Sequence, residues 1–144
     1  MIVLLQRVSE ARVDLPGERI AGISRGILAM VGVQVSDDEI TARQFVSRIL
    51  NYRIFADAED KMNLSLIDIN GGLLLVPQFT LAANTRKGRR PSFTSAASPA
   101  LAESVFQAML KFAEACYEIV EGGRFGANMQ VQLINDGPVT FILD

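Results

Sequence analysis

The sequence predicts an α+β fold: mostly antiparallel sheets forming a barrel-like core, with two main helices packed on one side. Three observations predict it. Strand-like segments crowd both ends of the 144-residue chain. Only two stretches carry apolar residues at helical spacing, and both lie between those ends. Strands and helices do not alternate regularly, so a doubly wound sheet is not expected. No repeat, low-complexity tract or linker divides the chain, and its length is that of one ordinary domain, taken as residues 1–144.

Residues 2–8 (IVLLQRV) and 11–14 (ARVD) read as strands broken near Ser9-Glu10. Leu15-Pro16-Gly17-Glu18 is a turn, since proline presets one turn dihedral and glycine accepts the awkward one. A short strand follows at 19–23. Residues 26–33 (GILAMVGV) are nearly all apolar, as expected of a strand buried on both faces. Ser36-Asp37-Asp38-Glu39 has the spacing of a capping box, with further acids where the helix dipole favours them. Ala42, Phe45, Val46, Ile49 and Leu50 then form one apolar stripe, which predicts a helix over 37–51. A short strand at 52–55 and a polar loop at 57–63 come next. Residues 72–81 (GLLLVPQFTL) predict a strand that ends, bulges or lies at an edge near Pro77. A basic, Ser/Thr-rich loop spans 82–97. Ser98-Pro99 starts the second helix, with proline at its first position. Its stripe is Leu101, Val105, Phe106, Met109, Phe112, Ala113 and Cys116, and it ends near Glu118. Gly122-Gly123 is a loop, and two last strands run over 128–134 and 139–143.

Composition removes several kinds of chemistry. The chain has no histidine, so Ser-His-Asp and Cys-His designs are excluded. The commonest metal ligand is missing too, and with one cysteine, Cys116, neither a zinc site nor an internal disulfide is expected. No metal or cofactor is called for. Any proton transfer falls to carboxylates, lysine, hydroxyls, water or the substrate. The first residues lack a basic leader and a small-residue cleavage site, and no apolar run approaches the roughly 20 residues of a membrane span. A cytoplasmic protein with no membrane partner is expected. The net charge of −2 argues against a general attraction to nucleic acid, yet Arg86, Lys87, Arg89 and Arg90 place four of the 14 basic residues within one short run.

Three stretches could carry function. Gln78 and Thr80 close an apolar strand, and alternation puts them on one face with Phe79 on the other. They are either a solvated strand end, or a frayed end whose Gln78, Phe79 and Thr80 N–H groups face a ligand. Gly137-Pro138 is either a plain turn or a stiff backbone edge with no side chain in the way of a partner. The run from Asn84 to Phe93 is either a solvated loop or a phosphate contact, limited in its freedom by Gly88 and Pro91, with Phe93 as a stacking face.

Together these stretches resemble the D-aminoacyl-tRNA deacylase family, which proofreads tRNA by clearing D-amino acids. The resemblance runs the full length, through MIVLLQRV, YRIFADAEDKMNLS, QFTLAANTRKGRRPSF and NDGPVTF. The family is marked by a Ser-Gln-Phe-Thr-Leu and a Gly-Pro-Val-Thr segment at these places. One position departs: Pro77 stands where the family has serine, so no role of a hydroxyl or N–H there carries over.

The resemblance implies a homodimer with active sites at the interface. It implies that Gly137-Pro138, joined by a cis bond, reaches into the partner's site and excludes L-aminoacyl esters, so that D-aminoacyl-tRNA and glycyl-tRNA are hydrolysed. Arg7 resembles the residue that supports this gate. Gln78, Phe79 and Thr80 resemble the catalytic segment, with the N–H groups of Phe79 and Thr80 as an oxyanion hole and the terminal 2′-OH, rather than a Thr80 nucleophile, assisting water. Ala102, Phe125 and Met129 resemble pocket residues. Arg86, Lys87, Arg89 and Arg90 would meet tRNA phosphates. Two other readings stay open: a non-catalytic dimeric tRNA-binding protein, and a small-ester hydrolase that uses Thr80.

Overall fold

The computed structural model describes every residue except Lys87. Its elements in chain order are β1 (Ile2–Leu15), β2 (Glu18–Ile23), β3 (Gly26–Gly32), α1 (Glu39–Leu50), β4 (Phe55–Ala56), β5 (Met62–Leu64), β6 (Gly72–Pro77), a 3-10 turn (Phe79–Ala82), α2 (Pro99–Cys116), β7 (Val120–Gly122) and β8 (Gln130–Leu143). Six strands make one sheet in the order β2-β1-β3-β6-β7, with β8 on the other side of β1. β4 and β5 form a small hairpin of their own.

The α+β class holds, but the sheet is mixed. β1 is antiparallel to β2, β3 and β8, whereas β3–β6 and β6–β7 are parallel. Parallel neighbours need a long crossover, and α1 and α2 lie in those two connections. The apolar runs of β3 and β6 follow from this. Ile27, Ala29, Leu73 and Leu75 face the helices, packing with Phe45, Ile49, Phe106 and Met109. Leu28, Leu74 and Val76 face the other way, into a second cluster with Val8, Val13, Ala21 and Ile23 inside the curved sheet. Both faces are buried, so neither alternation nor polar residues are needed. The sheet nearly closes into a barrel where the end of β2 crosses the start of β6. A Cβ on Gly72 would lie 2.8 Å from the Ile23 side chain. Tyr117 ends α2 and donates its hydroxyl to the Gly71 carbonyl at 2.6 Å. Burial pushes its pKa up.

Several boundaries differ from expectation. β1 is one strand without a break at Ser9-Glu10; its register with β8 shifts between Val8 and Glu10 instead. Met62–Leu64, expected as loop, pairs with Phe55–Ala56. Val120–Gly122 is a third parallel strand, where the expected loop covered only Gly122-Gly123. The cap of α1 is Asp38, not Ser36: its carboxylate accepts from the Thr41 N–H at 2.8 Å. Asp37 is withdrawn from the helix because its buried carboxylate binds the Met1 ammonium at 2.7 Å and the Gln34 N–H. The Ser98-Pro99 start of α2 is as predicted. β6 stops at Pro77, and a 3-10 turn replaces the strand expected to reach Leu81.

Candidate active site

The end of β6, the start of α2 and the segment before β8 surround a cavity of about 440 Å3. It brings together Gln78, Phe79, Ala102, Phe125 and Met129, all singled out from the sequence, and adds Pro77. Ala102 is buried on the first turn of α2, where its small side chain leaves the space open. Phe125 packs on Phe106, and the Met129 sulfur accepts from the Arg124 N–H, so both sit on the core while facing the cavity. Among the described residues, no ionisable side chain lines it. A cavity of similar size, about 450 Å3, lies over β1, β2 and β8, but its Arg12 is already held by Asp14 and Gln132.

Pro77 fixes the local backbone. It ends the ladder opposite Val31, and the Gln78 N–H makes the last bond, to the Val31 carbonyl at 2.7 Å. Gln78 therefore has no free N–H, which corrects the expectation of three donors. The chain then tightens into the 3-10 turn, whose first N–H groups have no partner within the turn. Among the described residues, neither the Phe79 nor the Thr80 N–H donates to an acceptor of this chain. The Gln78 Nε2 donates to the Thr80 Oγ1, so the two polar side chains meet through the turn rather than by strand alternation. Thr80 is exposed at the rim and does not line the cavity.

Gly137 and Pro138 lie elsewhere. β8 is one strand whose two halves both pair with β1, where two strands were expected. Gln6 stands opposite Thr140 and Val8 opposite Asn135, so Arg7 alone faces residues 136–139. The excess is pushed out as an exposed tip. Asn135 clasps its base: its Oδ1 accepts from the Val139 N–H at 2.7 Å, and its Nδ2 donates to Gln6 and Thr140. Sequence reasoning passed over Asn135, although an Asn before a turn commonly bonds its own backbone this way. The Gly137–Pro138 bond is cis, and Gly137 has φ of 136°, a region open to glycine. Arg7 braces the tip, donating from Nε to the Asp136 carbonyl at 2.9 Å and from Nη1 to the Ile54 carbonyl at 2.8 Å. The ladders run from Thr140 through β1 and β3 to Pro77. Measured along the curved sheet, interstrand steps of about 4.8 Å and rises of about 3.3 Å make this path roughly 15–20 Å long.

The basic loop is closed at its neck by paired backbone bonds between Asn84 and Ser92. Arg86, Arg89 and Arg90 are exposed on it, and among the described residues none is in an ion pair. Lys87 lies outside the described residues. Beyond the neck, Phe93 stacks on Phe79 with ring centres 5.1 Å apart. No group of three or more metal-ligating side chains is found among the described residues, and no helix there is long and apolar enough to cross a membrane.

Known proteins share both the sequence and the fold. Residues 4–144 match the family model described as D-Tyr-tRNA(Tyr) deacylase. The D-aminoacyl-tRNA deacylase of Pseudomonas aeruginosa is 58% identical over 144 residues, covering all of this chain and 99% of that protein. Its counterpart in Legionella pneumophila is 52% identical over 143 residues, covering 99% of each. A solved structure named c-Myc DNA Unwinding Element Binding Protein superposes with a TM-score of 0.95 at 37% identity, over all of this chain and 98% of its own. A probable eukaryotic D-amino acid tRNA deacylase shares the fold, with a TM-score of 0.84 at 17% identity over 99% and 97% of the two chains. With a family model spanning all but its first three residues and relatives alike from end to end, this chain belongs to the D-Tyr-tRNA(Tyr) deacylase family.

Proposed function

We propose that this chain, as a single domain working in the cytoplasm, hydrolyses the ester of D-aminoacyl-tRNA to free tRNA and D-amino acid and spares the L-ester. The observation that carries the reading is the pair of Phe79 and Thr80 N–H groups, unpartnered among the described residues, at the rim of a cavity whose described lining holds no ionisable side chain. The terminal adenosine lies against Phe125 and Met129, and the amino acid lies towards Ala102. The two N–H groups hold the oxyanion as water, assisted by the terminal 2′-OH, adds to the ester carbon. The carbon–oxygen bond to the ribose then breaks. One such donor is commonly worth about 10²–10³ in rate. With no histidine in the chain and no carboxylate in the cavity, the substrate is the better source of assistance. Arg86, Arg89 and Arg90, with Lys87, meet acceptor-stem phosphates in a sequence-blind way.

Handedness is judged by the tip of a second copy. Three features support a dimer. The tip is exposed and braced, it lies outside its own chain's cavity, and β8 pairs only with β1 and exposes Ile134 and Ile142 beside it. The Gly137–Pro138 backbone occupies the place of an L-side chain, so rejection does the sorting. Glycyl-tRNA, with no side chain to exclude, is hydrolysed as well.

Matched D-, L- and glycyl-tRNAs test this. Loss of the D and glycyl esters with the L-ester spared is expected, and Thr80→Ala, which keeps the N–H, should retain the rate within about tenfold. Binding without ester loss would make this a tRNA-binding protein. Abolition by Thr80→Ala together with cleavage of tRNA-free esters would make it a small-ester hydrolase.

A further inference from the structure

The deacylase reading places one aminoacyl nucleoside in the cavity. At about 440 Å3 it is of the size that encloses a single drug-sized ligand. The next nucleotide of an RNA 3′ end must therefore leave across the rim. The basic loop that would receive the phosphates begins a few residues beyond Phe79. Between cavity and loop stands the Phe79–Phe93 pair.

This pair is unusual for its exposure. Phe79 is 56% exposed and Phe93 41%, although large aromatic side chains are normally buried or covered. It is also held in place. Phe93 directly follows the Asn84–Ser92 bridge, and the Ser95 hydroxyl donates to the Ala82 carbonyl, tying the segment after Phe93 to the 3-10 turn. The rings are tilted by 46°, leaving aromatic surface open to solvent. Arg86, Arg89 and Arg90, none of them in an ion pair among the described residues, stand on the loop behind it. Fixed aromatic surface beside a positive loop is the combination that binds unpaired nucleotides, the ring taking a base and the arginines the backbone.

We propose that Phe93, supported by Phe79, is a stacking platform for the penultimate, unpaired base of the RNA end whose terminal nucleoside fills the cavity. This rests on the deacylase reading. A second copy of the chain is the competing occupant of the aromatic surface. It is disfavoured because the arginines of the loop carry no acidic counterpart among the exposed residues of the tip other than Asp136, which Arg7 already engages.

The test uses three non-hydrolysable probes at one salt concentration. They are adenosine bearing a D-phenylalanyl amide at its 3′ position, an RNA trinucleotide ending in that nucleoside, and the same trinucleotide with its penultimate base removed. The intact protein should bind the trinucleotide at least about fivefold more tightly than the abasic one, the lower end of what one base–aromatic stack gives. Phe93→Ala should erase that difference, Phe93→Trp should keep it, and all three proteins should bind the single nucleoside alike. The abasic comparison in the unmodified protein holds even if a variant folds poorly. The proposal is overturned if the unmodified protein shows no such difference, or if Phe93→Ala retains it. It is equally overturned if that variant weakens the nucleoside as much as the trinucleotide, or changes the oligomeric state. Failure of the unmodified protein to bind the nucleoside amide would instead bring down the deacylase reading itself, and this proposal with it.

Discussion

Replacing Arg7 by alanine should unseat the Gly137–Pro138 tip, and the structure says which of its bonds matters. Arg7 is largely buried, and its two bonds go to main-chain carbonyls, of Asp136 at 2.9 Å and Ile54 at 2.8 Å. A hydrogen bond from a charged donor is worth about 1.5–3 kcal/mol, so losing both, with water replacing part of the Asp136 side, should cost about 2–4 kcal/mol. The ion pair to the Asp136 carboxylate is longer, at 3.4 Å, and that carboxylate is half exposed. Pairs of that kind contribute about 0–1 kcal/mol. Asp136→Ala should therefore cost less than about 1 kcal/mol, and a double-mutant cycle between the two should show coupling no larger than that. Arg7→Lys should restore less than half the loss, because one ammonium cannot fork between two carbonyls. The brace also touches the glycine, since a Cβ there would lie 3.0 Å from the Arg7 guanidinium. Urea unfolding measures the stability, and ester loss from matched D- and L-aminoacyl-tRNA measures the gate. We expect Arg7→Ala to lower the D-to-L ratio at least about tenfold, a loss of about 1.4 kcal/mol in discrimination. The reasoning fails if Asp136→Ala is as damaging as Arg7→Ala, or if Arg7→Ala leaves both stability and ratio unchanged.

Three further outcomes are expected. Ala102→Phe should fill the cavity and slow loss of a D-tyrosyl ester at least about tenfold while sparing a glycyl ester, read as the ratio of the two rates. Asp37→Ala should destabilise the fold by about 3–5 kcal/mol in urea unfolding, because it takes the carboxylate from the buried Met1 ammonium and leaves it the neutral Gln34 Oε1. Asp57, Asp68 and Asp38 are held below the ordinary aspartate value of 3.8 by hydrogen bonds from the backbone of Lys61, Ser65 and Thr41 respectively. The unfolded chain thus takes up protons first, and the stabilisation, full above pH 3.8, is lost as pH falls below it. The triple Asn variant should show a flatter decline in stability between pH 5 and pH 2 than the parent.

Both helices were legible because each announces itself locally, by an apolar stripe and, for α2, a Ser98-Pro99 start that the fold uses as written. The parallel half of the sheet was less so. Its signature, near-continuous apolar runs in β3 and β6, was visible, but which strands pair is decided by two helical crossovers and not by either run. The cap of α1 shifted because a contact across 36 residues, from Asp37 to the Met1 ammonium, outranked the local pattern. Asn135-Asp136-Gly137-Pro138 looked like a turn between two strands but is an outpushed tip within the single strand β8, whose flanks both return to the same neighbour, which only the ladder reveals. Gln78 and Thr80 were legible as a polar pair closing an apolar strand, and of that segment Gln78 and Phe79 line the cavity. The small lining residues Ala97, Gly126 and Ala127 carry no signal, since their contribution is the space that they leave.

The unpartnered donors at Phe79 and Thr80 are main-chain groups, and this shapes how the gene can drift. Side chains at these positions can be exchanged without deleting an N–H, so most missense changes leave the donors in place. Proline alone removes one. A threonine codon becomes a proline codon by changing its first base, whereas a phenylalanine codon must change at two. Under the oxyanion reading proposed above, the segment is thus more vulnerable to hereditary loss at Thr80 than at Phe79, and at Thr80 the loss would come through the main chain and not through the hydroxyl.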